Sequence, residues 1–222
     1  MTSSPKVFPE QASMSESPDS VCEAGRRVIN RIKAEHVLLA RIIAAMQAWV
    51  VQCREPGVEA DLALFRAMLR YVQEVPDRVH HPQEDAVLFP ALARLAGARE
   101  IIAELEREHV LGDARLKSLH RAYDDFLAGS TNAINRLSGE VDDFAEFYWA
   151  HMRKEEQSLL PLAVAGLTPS EWEGIDKAFV AVNDPLFGSE LSESYRRLYD
   201  DIAARLSEPL KGFVKSASEQ AR

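Results

Sequence analysis

Apolar residues recur every three or four positions over most of the chain, the period of amphipathic α-helices. From Val28 one stripe runs through Ile29, Ile32, His36, Leu39, Ile43, Met46 and Val50, and Glu55-Pro56-Gly57 closes it. A second pattern starts near Asp61 with Leu64, Met68, Tyr71, Val72 and Val75. It resumes through Val87, Leu88, Leu92 and Leu95 and stops at Gly97. Pro76 and Pro82 each remove a backbone donor and crowd the preceding turn, so this segment is expected as one bent helix or two collinear ones. A third helix is expected from about residue 99 to 127, with Ile102, Leu105, His109, Leu116, Leu119, Tyr123 and Phe126. After a turn at Gly129-Ser130-Thr131-Asn132, a fourth covers about 133 to 165, with Leu137, Val141, Phe144, Tyr148, His151, Leu159 and Leu162.

Thr168-Pro169-Ser170-Glu171 reads as a helix start: Thr168 caps, Pro169 suits the first position and Glu171 completes a capping box. That helix should end near Asp184-Pro185, and residues 190–207 make one more, with Leu191, Tyr195, Leu198, Ile202 and Leu206 on one side. Strand signals are nearly absent. The expected fold is all-α, an up-down-up-down four-helix bundle with two extra C-terminal helices. Residues 1–20, rich in Ser, Pro and Glu, read as a disordered arm. Residues 21–166 read as the bundle and 167–222 as a C-terminal helical extension.

Length and composition agree with one domain of generous size: 222 residues, 46% hydrophobic and 27% charged. A net charge of −9 leaves no electrostatic footprint for nucleic acid and no basic face for an anionic membrane. Val37 to Val51 is apolar but is broken by Arg41 and Gln47, and reads as a core helix rather than a membrane span. Cys22 and Cys53 have no metal-binding or redox spacing, and no leader segment is visible, so a reducing, cytoplasmic location is expected.

The chain repeats itself. Residues 35–38 and 108–111 both read EHVL; HHPQEDAVLFP at 80–90 aligns with HMRKEEQSLLP at 151–161. The aligned pair shares a His, a Glu four later, an acid five later, a Leu eight later and a Pro ten later. Each half is thus a helical hairpin with one His on its first helix and His-xxx-Glu on its second. Four residues on a helix turn about 400°, so His80 and Glu84 project the same way, as do His151 and Glu155. Two packed hairpins would bring four imidazoles and two carboxylates into one core, an inventory that suits two metal ions with imidazoles terminal and carboxylates bridging. Mixed nitrogen and oxygen ligands favour iron or manganese. Burying those six groups without a metal would be costly.

At His36, His80-xxx-Glu84, His109 and His151-xxx-Glu155 the sequence resembles the hemerythrin-like, HHE cation-binding family, over about residues 28–165. The resemblance implies a four-helix bundle around a non-haem di-iron centre that binds O2, NO or small anions, or serves iron handling and sensing. Oxygen carriers of the family have a fifth His four residues after the helix-3 His; here that position is Asp113, which puts reversible oxygen carriage in doubt. Asp113 then either joins the site as a carboxylate or leaves it more symmetric. The four-His, two-Glu set also resembles the iron-centre repair proteins, but residues 1–20 lack the cysteine of their N-terminal domain.

Several neighbours are ambiguous. The repeat aligns His81 with Met152, which places it behind the ligands or on the surface. Glu155 is favoured over Glu156 as the helix-4 ligand by the repeat. His120 lies about 16 Å along the helix from His109, too far for the same site. Gly112 serves close helix packing or, in a sharper reading, leaves room for a diatomic ligand; Tyr148 and Trp149 read as core aromatics.

The sequence therefore points to a non-haem di-iron protein that binds a small diatomic or anionic ligand. A di-iron oxidase, peroxidase or NO-detoxifying enzyme is the rival reading. No flavin or iron–sulfur motif is present, so any reductant would be a separate protein. The third reading is a partner-binding bundle whose C-terminal helices dock on the bundle or pair two copies of the chain.

Overall fold

The computed structural model describes residues 21–182 and 188–206; the arm at 1–20, the helix end expected near Asp184-Pro185 and residues 207–222 lie outside them. Six helical runs make up the described chain. They are α1 (Glu23–Gln52), α2 (residues 62–92), α3 (Ala98–Leu127), α4 (residues 133–166), α5 (Pro169–Val182) and α6 (Gly188–Arg205). No strand occurs among the described residues.

Local chemistry sets the ends. Asp61 caps α2, its side chain accepting from the Leu64 amide at 2.9 Å. Gly97, with φ +81°, turns the chain between α2 and α3, a left-handed conformation that glycine adopts without penalty. The capping box at α5 is complete: the Thr168 amide donates to Glu171 Oε2 at 2.8 Å and the Glu171 amide to Thr168 Oγ1 at 3.3 Å. Helix α1 begins one turn before Val28, and Ala24 extends the same buried stripe.

The prolines of α2 do not break it. A π-helical turn at Pro76–His80 and another at Glu84–Leu88 interrupt the α geometry, with three α-helical residues between them. In α4 a single π turn covers Glu155–Leu159. Each π turn closes with a bond from the following amide to the carbonyl five residues back: His81 to Pro76, Phe89 to Glu84, Leu160 to Glu155. The wider turn absorbs carbonyls that a proline cannot serve, so the segment continues as one helical run rather than two.

Two apolar clusters fill the interior. One holds Val28, Ile32, Phe89, Leu92, Ile102, Leu105, Leu159 and Leu160. The other holds Ile43, Trp49, Phe65, Met68, Leu119, Tyr123, Val141 and Phe144. Helices α1 and α3 run from the first cluster to the second; α2 and α4 run from the second to the first. Between the clusters lies a layer of polar residues drawn from all four helices: buried His36 of α1, His80, His81 and Glu84 of α2, and His151 and Glu155 of α4, with the His109 side chain of α3, 8% exposed, among them.

The two C-terminal helices seal opposite clusters. Trp172, Ile175 and Phe179 of α5 join the first. Tyr195, Ile202 and Leu206, from α6 and the residue after it, join the second. The apolar face of the last helix therefore lies on its own chain's bundle. Helix α1 is long and apolar enough to cross a membrane by length and composition, but its apolar stripe is the spine of both clusters.

Candidate metal centre

The polar layer holds the six residues singled out by the repeat. His36, His80, Glu84, His151 and Glu155 are each at most 5% exposed, and the His109 side chain is 8% exposed. One set of donor atoms, from His36, His80, Glu84 and Glu155, lies within 4.8 Å of one another. A second set, from Glu84, His109, His151 and Glu155, does the same. The two sets share Glu84 and Glu155.

The distances show how the groups converge. Glu155 lies between halves, with Oε2 2.8 Å from His36 Nε2 and Oε1 3.0 Å from His151 Nε2. Glu84 mirrors it at longer range, with Oε1 3.5 Å from His80 Nε2 and Oε2 3.6 Å from His109 Nε2. His36 and His80 bring their Nε2 atoms to 3.1 Å of each other.

Every one of these imidazoles turns its Nδ1 to a carboxylate outside the cluster. His80 pairs with Glu35 at 2.9 Å and His151 with Glu108 at 2.9 Å. His36 pairs with Glu156 at 2.8 Å and His109 with Asp85 at 3.0 Å. This fixes the tautomer with Nε2 inward and raises the basicity of the ring, the carboxylate–histidine arrangement that supports metal ligands. The repeat carried this signal. Glu35 and Glu108 are the first letters of the two EHVL stretches, and Asp85 and Glu156 are the acids five residues after His80 and His151.

The buried charges of the cluster act strongly on one another. Burial resists charge on His36, but the facing carboxylates of Glu155 and Glu156 outweigh it and raise the imidazole to about 9. His151 is likewise raised to about 9 by Glu155 and Glu108 against the effect of burial. Burial holds His80 below its ordinary value, and burial with the neighbouring His81 and His151 holds His109 far below. Burial, then the charge of Glu155, pushes Glu84 up. Glu155 is held down despite its burial by His151 and His36. Glu84 Oε2, His109 Nε2, His151 Nε2 and both Glu155 oxygens are buried without an aligned hydrogen-bond partner. Such inward-facing orphans are rare in a protein core, and coordination to metal ions would satisfy all of them.

The neighbours fall into place differently. Glu156 lies on the far side of His36, away from the shared carboxylates. Asp113 is exposed and faces Lys117 at 3.4 Å, so it belongs to the surface rather than the site. His120 bonds Gln73 at 3.2 Å, away from the layer. A side chain at Gly112 would meet the Tyr148 hydroxyl, 3.1 Å from an added Cβ, which is the signature of close helix packing. Of the two places expected for His81, the structure excludes the surface. The residue is 7% exposed, and it stacks on His109 with ring centroids 3.9 Å apart.

The family model of the hemerythrin HHE cation-binding domain matches residues 27–163, which span both halves of the repeat and every residue of the cluster. The chain belongs to that family, and is a cation-binding helical protein. No curated relative and no solved structure matches it.

Proposed function

We propose that the bundle holds a carboxylate-bridged pair of iron ions and binds O2, NO or a small anion for sensing, scavenging or iron handling. His36 and His80 would hold one ion, His109 and His151 the other, with Glu84 and Glu155 spanning both. The observation that carries this reading is that two four-residue donor sets share those two carboxylates. The donors are nitrogen and oxygen only; Cys22 and Cys53 are free thiols outside the sets, which favours iron over the softer metals. The alternating course of the first four helices between the clusters supports an up-down-up-down arrangement.

Bound iron would supply a redox-active Lewis-acid pair with positions left for a small ligand. The protein's share is a dry, preorganised donor set. Outer carboxylates orient the imidazoles, and the two apolar clusters keep bulk water from the layer. The sequence shows no flavin or iron–sulfur motif, so turnover would draw on an external reductant; a cytoplasmic setting suits the free thiols.

The test is metal content per chain with the absorption spectrum of protein from iron-supplemented cells. About two irons per chain, with near-ultraviolet charge-transfer bands that shift on adding azide, is the expected result. Metal-free protein, or one loosely held zinc, would overturn the reading.

A further inference from the structure

We propose that His81 is a fifth histidine ligand, serving the same metal as His109 and His151, so that the two metal positions are chemically unequal. The inference rests on the dinuclear reading above. His81, His109 and His151 each place a ring nitrogen within 4.8 Å of the others, forming a donor set of their own. The His81 ring stacks on His109 at an interplanar angle of 17° and meets His151 edge-on with centroids 6.0 Å apart. Its Nδ1 faces Asp77 Oδ1 at 3.7 Å, echoing at longer range the outer carboxylates of the other four rings.

The backbone accounts for this placement. On an uninterrupted α-helix, neighbouring residues point about 100° apart, and only one of His80 and His81 would face the layer. The π turn at Pro76–His80 ends between them and inserts an extra residue into that turn. Both imidazoles then reach the interior, His80 toward His36 and His81 toward His109. Helix α4 has no such turn before His151, since Ala133–Lys154 is continuous α-helix. There the matching residue is Met152, which packs in an apolar cluster. One metal position thus has three imidazoles and two carboxylates around it, the other two imidazoles and the same two carboxylates. Fewer protein donors would then hold a metal at the position of His36 and His80, and a small ligand would be favoured there.

The experiment is proton NMR of the full chain loaded with two equivalents of Co(II), in water and in D2O. Each coordinated imidazole contributes one exchangeable, strongly shifted ring N–H. Five such signals are expected in the native protein, four in His81→Gln, and five in His120→Gln. Chelator competition should show about tenfold weaker binding of one of the two metals in His81→Gln. Four signals in the native protein would overturn the inference and leave the dinuclear reading intact. A single metal per chain would overturn both. The count in the native protein decides the question even if His81→Gln does not fold.

Discussion

Glu35 and His80 meet across the first helical hairpin, Oε2 to Nδ1 at 2.9 Å, and Glu108 and His151 repeat the contact across the second at the same distance. A matching pair crosses between the halves, Glu156 to His36 and Asp85 to His109. The internal repeat therefore extends beyond the six inward donors to the four carboxylates that aim them.

Those outer carboxylates set the first prediction. Glu35→Gln and Glu108→Gln keep every inward donor but weaken the hold on one imidazole each. Metal affinity should fall about 10- to 100-fold in either variant, with the stoichiometry of tight sites unchanged. Competition against a calibrated chelator measures it. Affinities equal to the native protein's would mean that the carboxylates merely solvate the rings.

Metal uptake should displace protons. His36 and His151, raised to about 9, carry a proton at pH 7.5 in the metal-free chain and must lose it to coordinate. Calorimetry in buffers of different ionisation enthalpy should report at least two protons released per pair of metals, with a further contribution from Glu84, whose carboxyl is pushed toward its neutral form, and affinity should fall as pH falls below 9. The same raised values stabilise the metal-free fold below pH 6.5, the ordinary imidazole value, and that contribution is lost as pH rises through about 9. Metal-loaded protein should not show this alkaline loss. A pH-independent affinity between 6.5 and 9 would contradict the argument.

Much of this was legible in the sequence, and the parts that were not have physical causes. The 3.6-residue period marks the helices because each buries one stripe against the two clusters. The repeat marks His36, His80, Glu84, His109, His151 and Glu155 because two hairpins supply matching donors to one layer. His81 was hidden because a count of 100° per residue fails after a π turn, and nothing short of the backbone reveals where that turn ends. Pro76 and Pro82 gave the only hint, and it read as a bend in one helix or a join between two collinear ones. Glu35 and Glu108 stood in plain view in EHVL, but their partners lie 45 and 43 residues away on other helices.

Gly112 and Tyr148 make a pair whose coupling can be measured. An alanine at 112 gains roughly 1 kcal/mol of helix propensity but must displace the Tyr148 hydroxyl, 3.1 Å from the new Cβ. Gly112→Ala should therefore be neutral or destabilising in the native background, and stabilising by about 0.5–1 kcal/mol beside Tyr148→Phe. Denaturant titration of the four proteins gives the cycle. If Gly112→Leu leaves azide or NO binding unchanged, the glycine serves packing and not a ligand pocket.

Trp172 tests whether α5 is structural cover for the bundle. It is 2% exposed and lies against Gly25 of α1, about 3.0 Å from where a Cβ would stand. Trp172→Ala should cost about 3–5 kcal/mol, as large-to-small changes in a core do. The donor layer lies beyond that cluster, so metal stoichiometry at low temperature should be unchanged. Loss of metal without loss of stability would invert the assignment.

Removing the metal should destabilise the fold, and Glu84 shows why. With no cation present its carboxyl sits buried beside Glu155, pushed toward its neutral form, with one oxygen lacking an aligned partner. A bound metal stabilises by mass action, about 2.7 kcal/mol when free metal is a hundred times its dissociation constant. Chelation should lower Tm accordingly. Glu84→Met replaces the carboxyl with an apolar side chain of similar length. In the metal-free chain this should be neutral or stabilising, because an uncompensated buried acid is exchanged for packing. With metal added, the variant should gain little, having lost one of the two carboxylates both positions share. Paired thermal melts of native protein, Glu84→Met and His120→Ala, each with and without metal, separate these effects. His120→Ala should respond to metal as the native chain does, and an equal response from Glu84→Met would remove Glu84 from the centre.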